Sequence, residues 1–216
     1  VACDCDPVGN GRQIELAVTG LTAVGHRVCV VLVSSGGGLA ARLQAAGATA
    51  YVVNRGPAVR LSVSSRVAEI IRNEQPQTVV GWGVETAIII AGARVLTRHS
   101  GRYIQHVLEP SRTVLEAAIV ARADEIIVTG KSVVQASREM ESLQSIRYMP
   151  PAAVAFDEMV GRDQLASQVG LNPSKQWTLC VAPLVSQSRI DRLIWGFDQM
   201  AVARNDVEHI VVGSGQ

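Results

Sequence analysis

Three small residues near the amino terminus are the first candidates for chemistry. Gly9, Asn10 and Gly11 follow a short apolar segment and open a stretch of helical periodicity. Backbone amides at such a turn can bind a phosphate, and a tight turn without a ligand explains the same residues equally well. A dinucleotide fingerprint fits less well, because Ile14 occupies its third glycine position and no acid ends the next predicted strand.

Two ring side chains lie at or near the carboxyl ends of predicted strands, where open parallel sheets bind their ligands. His106 is placed to approach a substrate, and a packed or surface histidine is an equally good interpretation. Trp82 stands between Gly81 and Gly83. Its indole face is able to stack on a sugar ring, and burial in the core is equally plausible. Glu109 lies on an adjacent rim loop, where a solvated acid is the simplest interpretation.

Sulfur and acid residues do not predict a metal or redox site. The four cysteines are Cys3, Cys5, Cys29 and Cys180. Cys3 and Cys5 lie two apart on one strand face, which is poor geometry for a disulfide, and no CxxC pair occurs. Asp4 and Asp6 flank Cys5 without further ligands. The cysteines therefore favour reduced, buried side chains, and hence a cytoplasmic protein without a metal.

Composition indicates a globular protein with a generous core. Of 216 residues, 48% are hydrophobic and 18% are charged, and the net charge is +1. A net charge this close to zero creates no electrostatic field that would attract nucleic acid. It leaves peripheral association with a membrane open. The longest apolar runs have the length of strands, so no transmembrane helix is predicted. No secretory signal pattern occurs at the start of the sequence.

Short apolar runs alternate with longer segments of helical period along most of the chain. The runs predict seven strands before Pro150: one at the amino terminus, then residues 28–33, 49–53, 78–82, 102–108 and 125–130, and one from residue 146. Between them, helices are predicted over residues 12–23, 39–47 and 64–75, through Val95, from Thr113 and from Lys131. Because parallel neighbours need helical crossovers, this alternation predicts a doubly wound, Rossmann-like parallel sheet.

The pattern changes after residue 150. Residues 151–162 have little periodicity and mixed polarity, which is typical of a linker between domains. A helix over residues 163–169, a strand over 177–182, a helix over 190–203 and a strand over 208–212 follow. We therefore predict a first domain over residues 1–150 and the start of a second Rossmann-like domain over 163–216. Two strands alone would leave much of a sheet uncovered, so we expect further residues downstream.

Many weak matches in both segments carry a family resemblance. The carboxyl-terminal matches are Val181, Leu184, Asp191, Leu193, Ile194, Phe197, Val212, Gly213 and Gly215. The amino-terminal matches are Gly9, Gly11, Leu16, Leu21, Gly25, His26 and Val28. Through these residues essentially the whole chain resembles the GT-B retaining glycosyltransferases, and family four in particular. Residues 181–216 resemble the opening of that family's donor-binding domain.

The resemblance implies a reaction and roles for the candidate residues. A sugar would pass from a nucleotide-diphosphate-sugar donor to an acceptor hydroxyl, with retention and without an essential metal or cofactor. The first domain would hold the acceptor. His106 would be catalytic, and Trp82 and Glu109 would lie on the acceptor side. The donor-binding residues would be Gly9, Asn10, Gly11, Arg189, Gly213 and Gly215.

The sequence departs from the family at its phosphate-binding cations. Pro183 stands at the family's arginine position and Ser188 at its lysine position, with Arg189 one residue further on. Pro151 and Ala152 replace the family's Asn-Gly. A non-catalytic GT-B-like relative that binds a carbohydrate or a protein is therefore the alternative interpretation. The donor, the acceptor and the oligomeric state stay open at this stage.

Overall fold

The computed structural model describes residues 1–3, 9–33, 38–54, 60–108, 113–135, 146–154, 159–213 and 215. Two predicted site features, Glu109 and the Asp4–Cys5–Asp6 run, lie outside these residues. The chain divides into two compact units, Val1–Ala153 and Val154–Gln216. In the described residues, no helix is both long and apolar enough to cross a membrane.

The first unit alternates strands and helices as the hydrophobic pattern predicts. The strands are β1 (Cys29–Val33), β2 (Thr49–Val53), β3 (Thr78–Trp82), β4 (Arg102–Val107), β5 (Glu125–Val128) and β6 (Ile146–Tyr148). The helices are α1 (Asn10–Ala23), α2 (Leu39–Ala45), α3 (Arg60–Glu74), α4 (Val84–Thr97), α5 (Val114–Val120) and α6 (Lys131–Gln135). Helix α1 begins two residues earlier than predicted, so Asn10 and Gly11 are already helical.

The amino-terminal segment joins the strands into one parallel arrangement. Ala2 bridges Leu32 of β1 on one side and Trp82 of β3 on the other. The sheet continues from β1 to β2 on one side of Ala2. On the other side it continues from β3 through β4 and β5 to β6. After β2 the chain crosses to the other side of Ala2, where β3 begins the second half of the sheet. Such a reversal is the topological switch point beside which doubly wound sheets bind ligands.

Helices cover both faces of this sheet. On one face, α1 and α2 pack through residues such as Ile14 and Leu43 against Val30 and Leu32. On the other face, α3 and α4 pack against β1, β3 and β4. Residues 30–33 of β1 are all buried, because successive side chains enter opposite cores. The continuous apolar run in the sequence has this origin.

The second unit contains one strand–helix–strand repeat preceded by a helix. Its elements are α7 (Arg162–Val169), β7 (Gln176–Val181), α8 (Ile190–Ala203) and β8 (Val207–Val212), and the two strands are parallel. Helix α8 packs on one sheet face, where Phe197 stacks on His209 with ring centroids 3.7 Å apart. On the opposite face Leu179 and Val181 are 64% and 66% exposed.

Candidate ligand site at the carboxyl edge of the sheet

Trp82 and His106 form a ring pair at the carboxyl ends of β3 and β4. They are direct partners in the parallel register, so their side chains leave the sheet on the same face. Their ring centroids lie 4.3 Å apart at an interplanar angle of 32°. His106 is 4% exposed, and Trp82 packs against the core cluster beneath α1 and α2. The pair therefore belongs to the core and also lies at the edge where ligands bind.

The pair contains two buried nitrogen atoms without a hydrogen-bond partner. Trp82 Nε1 and His106 Nδ1 have none among the residues that the structure describes. Leaving a buried polar atom unpaired costs about 1–3 kcal/mol, so such atoms are uncommon away from functional sites. Indole N–H can only donate, whereas an imidazole nitrogen donates or accepts according to its tautomer.

Burial also sets the protonation state of His106. Removal from water disfavours the charged imidazolium and lowers the pKa of His106 below its ordinary value of 6.5. The ring is therefore neutral at neutral pH. A neutral imidazole can accept or relay a proton during a reaction.

Gly9 turns the chain into α1 at the same edge. Its φ of 62° and ψ of −114° lie in a region that glycine adopts readily and other residues avoid. No side chain caps α1, and no acidic residue occupies its first turn. The backbone N–H groups at this positive end of the helix, beginning with Asn10 and Gly11, therefore meet no carboxylate of that turn.

The chain that leaves β6 returns to α1. The Gln13 side chain donates from Nε2 to Ala152 O at 2.9 Å and accepts from Ala152 N at 2.7 Å. Pro151 and Ala152 are thus held beside the first turns of α1. These two hydrogen bonds hold the carboxyl-terminal segment of the first unit against its first helix.

A buried amide behind the ring pair was not identified from the sequence. Gln105 is fully buried, and its Nε2 donates to Gly83 O at 2.8 Å and to His106 O at 3.2 Å. Its Oε1 accepts a hydrogen bond from the Tyr103 hydroxyl. Gly81, its cross-strand partner, leaves the space that the amide occupies. A glutamine within an apolar strand was the available signal, but its partner depends on the strand register.

The candidates of the second unit lie at the carboxyl ends of β7 and β8. Arg189 is exposed and precedes α8 with a left-handed φ of 50°. A Cβ on Gly213 would lie 1.9 Å from Ala182 O, and one on Gly215 would lie 2.0 Å from Leu184 O. Close approach of two backbone segments therefore requires both glycines, independently of any ligand.

The remaining features do not extend the site. Glu85 lies in the first turn of α4. The described residues contain no group of three His, Cys, Asp or Glu side chains that could hold a metal ion. A cavity of about 440 Å³ lies at the opposite, amino-terminal edge of the sheet, where Arg72, Arg98 and His99 are among its lining residues. It is separate from the ring pair.

No family model matches this chain, and no curated protein is similar to it in sequence. Solved structures share its fold. HepE of Anabaena in complex with UDP has a TM-score of 0.74 at 14% identity over 100% of this chain, and HepE with UDP-glucose has 0.74 at 16% over 99%. A glycosyltransferase from Rickettsia africae has a TM-score of 0.68 at 13% identity over 98% of this chain.

These likenesses establish the fold. The predicted α/β, GT-B-like architecture, a doubly wound parallel sheet followed by a strand–helix–strand unit, is confirmed. The chain spans 60% of the length of HepE and 66% of the length of the Rickettsia protein.

Proposed function

We propose that this chain is part of a glycosyltransferase that uses a nucleotide-diphosphate-sugar donor. The observation that supports the proposal most is the ring pair of Trp82 and His106. Two of its nitrogens, which have no partner within the described part of the chain, lie at the switch point of a fold shared with a structure that holds UDP-glucose. In our proposal the protein resembles the GT-B retaining enzymes of family four and needs no metal or cofactor.

The reaction assigns a task to each group at the edge of the first unit. The bond between the sugar and the diphosphate breaks, and the acceptor hydroxyl forms a new bond to the sugar and loses its proton. Gly9, Asn10 and Gly11 would offer backbone amides to the donor phosphates at the positive end of α1. His106 would contact the reacting sugar, and Trp82 would face the acceptor side. Glu109 is assigned to the acceptor side by the resemblance alone.

The second unit would supply the charge that the leaving diphosphate requires. Stabilising a developing negative charge is the main electrostatic task in such a transfer. Arg189, Gly213 and Gly215 lie at the carboxyl ends of β7 and β8, where we place the donor diphosphate. The arginine would be the cation of this group.

The domain roles belong to the same proposal. Residues 1–150 would form the acceptor-side domain, 151–162 the linker and 163–216 the start of the donor-binding domain. A cytoplasmic location fits, because Cys29 and Cys180 are free and only half-buried, and such thiols persist in a reducing compartment.

Calorimetry tests the proposal directly. The full-length protein is titrated with a panel of UDP-, GDP- and ADP-sugars, and we expect saturable heat from at least one of them. An Arg189→Ala variant should bind the same donor more weakly, because a cation near the diphosphate is lost. Absence of heat with every donor would overturn the proposal.

A non-catalytic carbohydrate- or protein-binding relative is the second candidate. The neutral residues Pro183 and Ser188 stand where family members carry cations, and this observation favours it. The variant Pro183→Arg/Ser188→Lys separates the two candidates. Donor binding that appears only in this variant indicates a transferase that has lost its activity, whereas donor binding by the wild type supports the transferase.

A further inference from the structure

We propose that Gln105 is a positioning residue that fixes the orientation of His106 for the donor sugar and of Trp82 on the acceptor side. The inference rests on the proposed function for the identity of the ligand. The arrangement itself follows from the strand register and from the hydrogen bonds of one buried amide.

The Gln105 amide and the ring pair lie at adjacent register positions and on opposite faces of the sheet. Gly81 pairs with Gln105, and the next pair is Trp82 with His106. Because successive side chains of a strand point to opposite faces, Gln105 faces α4 while the two rings face α1 and α2. The amide therefore acts on the rings through the backbone of β3 and β4.

The partners of Gln105 determine which end of its amide faces which group. Carbonyl oxygens only accept, so the amide nitrogen must face Gly83 O and His106 O. The amide oxygen then accepts from the hydroxyl of Tyr103. One fully buried side chain thus donates to the residue after Trp82 and to His106 itself.

The Gly83 peptide is held at both of its polar atoms. Gly83 N donates to His106 O at 2.9 Å, and Gly83 O accepts from Gln105 and from the Thr86 hydroxyl at 2.7 Å. Gly83 has a φ of 84° and a ψ of 152°, a conformation that other residues avoid. The network therefore fixes the turn that leads from Trp82 into α4.

Gly81 makes this arrangement sterically feasible. A Cβ at residue 81 would lie 2.3 Å from Gln105 Oε1 and 2.9 Å from the Thr86 hydroxyl. The two glycines around Trp82 consequently have different tasks. Gly81 leaves space for the Gln105 amide beside β3. Gly83 adopts the turn that the hydrogen bond from this amide stabilises.

A buried amide is not needed for burial itself. An apolar side chain of similar volume would fill the site without the cost of desolvating polar groups. A fully satisfied network instead specifies one geometry, and misplacement by about 1 Å can cost about 100-fold in an enzyme site. This comparison supports a positioning role for Gln105.

The experiment compares the two ends of the network in the full-length protein. Gln105→Glu keeps the side-chain shape but removes both donors and turns a carboxylate towards two carbonyl oxygens. Tyr103→Phe is the matched control. It removes the hydrogen bond to Gln105 Oε1 and keeps both N–H donors of the Gln105 amide. Gln105→Met supplies an apolar chain of similar length if the glutamate variant does not fold.

Three readouts are taken for each variant: urea unfolding, the His106 imidazole titration by NMR, and calorimetry with the panel sugar nucleotide that the wild type binds. We expect Gln105→Glu to weaken donor binding about tenfold or more and to move the His106 titration. Tyr103→Phe should lower stability while leaving both site readouts close to wild type.

The outcomes separate this inference from the proposed function. If the Gln105 variants lose stability but keep the wild-type His106 titration and donor affinity, Gln105 is merely structural and the inference is overturned. The same conclusion follows if Tyr103→Phe changes the site readouts as much as Gln105→Glu does. If the wild type binds no sugar nucleotide, the proposed function fails and the His106 titration alone decides the positioning role.

Discussion

In our proposal, the chemistry of the first unit depends on a few atoms of two rings. An exposed histidine and tryptophan at a loop tip would be solvated and free to rotate. Trp82 and His106 are instead packed against each other and against the core. Trp82 Nε1 and His106 Nδ1 have no hydrogen-bond partner among the described residues. The energy of leaving them unpaired is recovered when a ligand or a bound water supplies the missing hydrogen bonds.

Burial of His106 predicts a pH dependence of stability. Its folded-state pKa lies below 6.5, so the unfolded chain binds more protons between the two values. The free energy of unfolding therefore falls as the pH drops below about 6.5, by at most about 1.4 kcal/mol per pH unit from this group. Urea unfolding between about pH 5 and pH 8 measures the slope.

His106→Asn should remove this part of the slope. His26→Asn, which replaces an exposed histidine instead of the buried one, is the control. Equal slopes for the wild type and His106→Asn would contradict the assignment.

Trp82→Phe isolates the indole N–H. The variant keeps an aromatic ring, and removing an unpaired buried donor offsets part of the lost packing. We expect the free energy of unfolding to change by less than about 1.5 kcal/mol. Donor affinity should stay near wild type, because the proposal places Trp82 on the acceptor side. Calorimetry and urea unfolding give both quantities.

Trp195→Phe is the matched control for this change. Trp195 lies on α8 and is 67% exposed, so both affinity and stability should stay near wild type. A loss of donor affinity of about tenfold in Trp82→Phe, the effect of one lost hydrogen bond, would contradict the assignment of Trp82 to the acceptor side.

At the scale of elements, two glycines with opposite requirements flank Trp82, the last residue of β3. Gly81 lacks a side chain because Gln105 fills the space, whereas Gly83 is in open space and needs its positive φ. A helical glycine provides a contrast. Gly20 of α1 has no neighbouring atom within 4 Å of a Cβ position.

Alanine substitutions at Gly81 and at Gly20 should therefore change the free energy of unfolding in opposite directions. Gly81→Ala forces a methyl group against Gln105, Thr86 and Ile90, and should destabilise the protein by about 1–3 kcal/mol. Gly20→Ala should stabilise it by about 0.5–1 kcal/mol, because alanine favours the helix. Urea unfolding midpoints measure both changes, and a neutral Gly81→Ala would show that the network can move aside.

At the scale of the molecule, the two units differ in how their sheets are covered. Helices pack on both faces of the first sheet, whereas the second sheet has α8 on one face and exposed Leu179 and Val181 on the other. Exposed apolar patches of this kind favour association. We therefore expect the 216-residue chain to self-associate as its concentration rises, which sedimentation velocity would detect.

Val181→Lys should reduce this association by placing a charge on the exposed sheet face. Val24→Lys is the control, because Val24 is a similarly exposed valine of the first unit. A chain that stays monomeric at all concentrations would contradict the prediction, as would equal effects of the two substitutions.

The local pattern of the sequence was enough for most elements. Continuous apolar runs marked β1 and β3, because a strand covered on both faces has no polar side. Terminal glycines and helical periodicity marked α1 and α2. The start of α1 was predicted two residues late, since Asn10 and Gly11 carry no apolar stripe although their backbone is helical.

The sequence by itself determined the alternation of strands and helices and the position of Trp82 and His106 at strand ends. Both are local properties, readable from the order of apolar and polar residues. Only the tertiary structure decided that these rings pair, that Gln105 supports them and that Gly81 makes room for it. Those relations join residues more than 20 positions apart, and they depend on the register of β3 against β4, which no local pattern specifies.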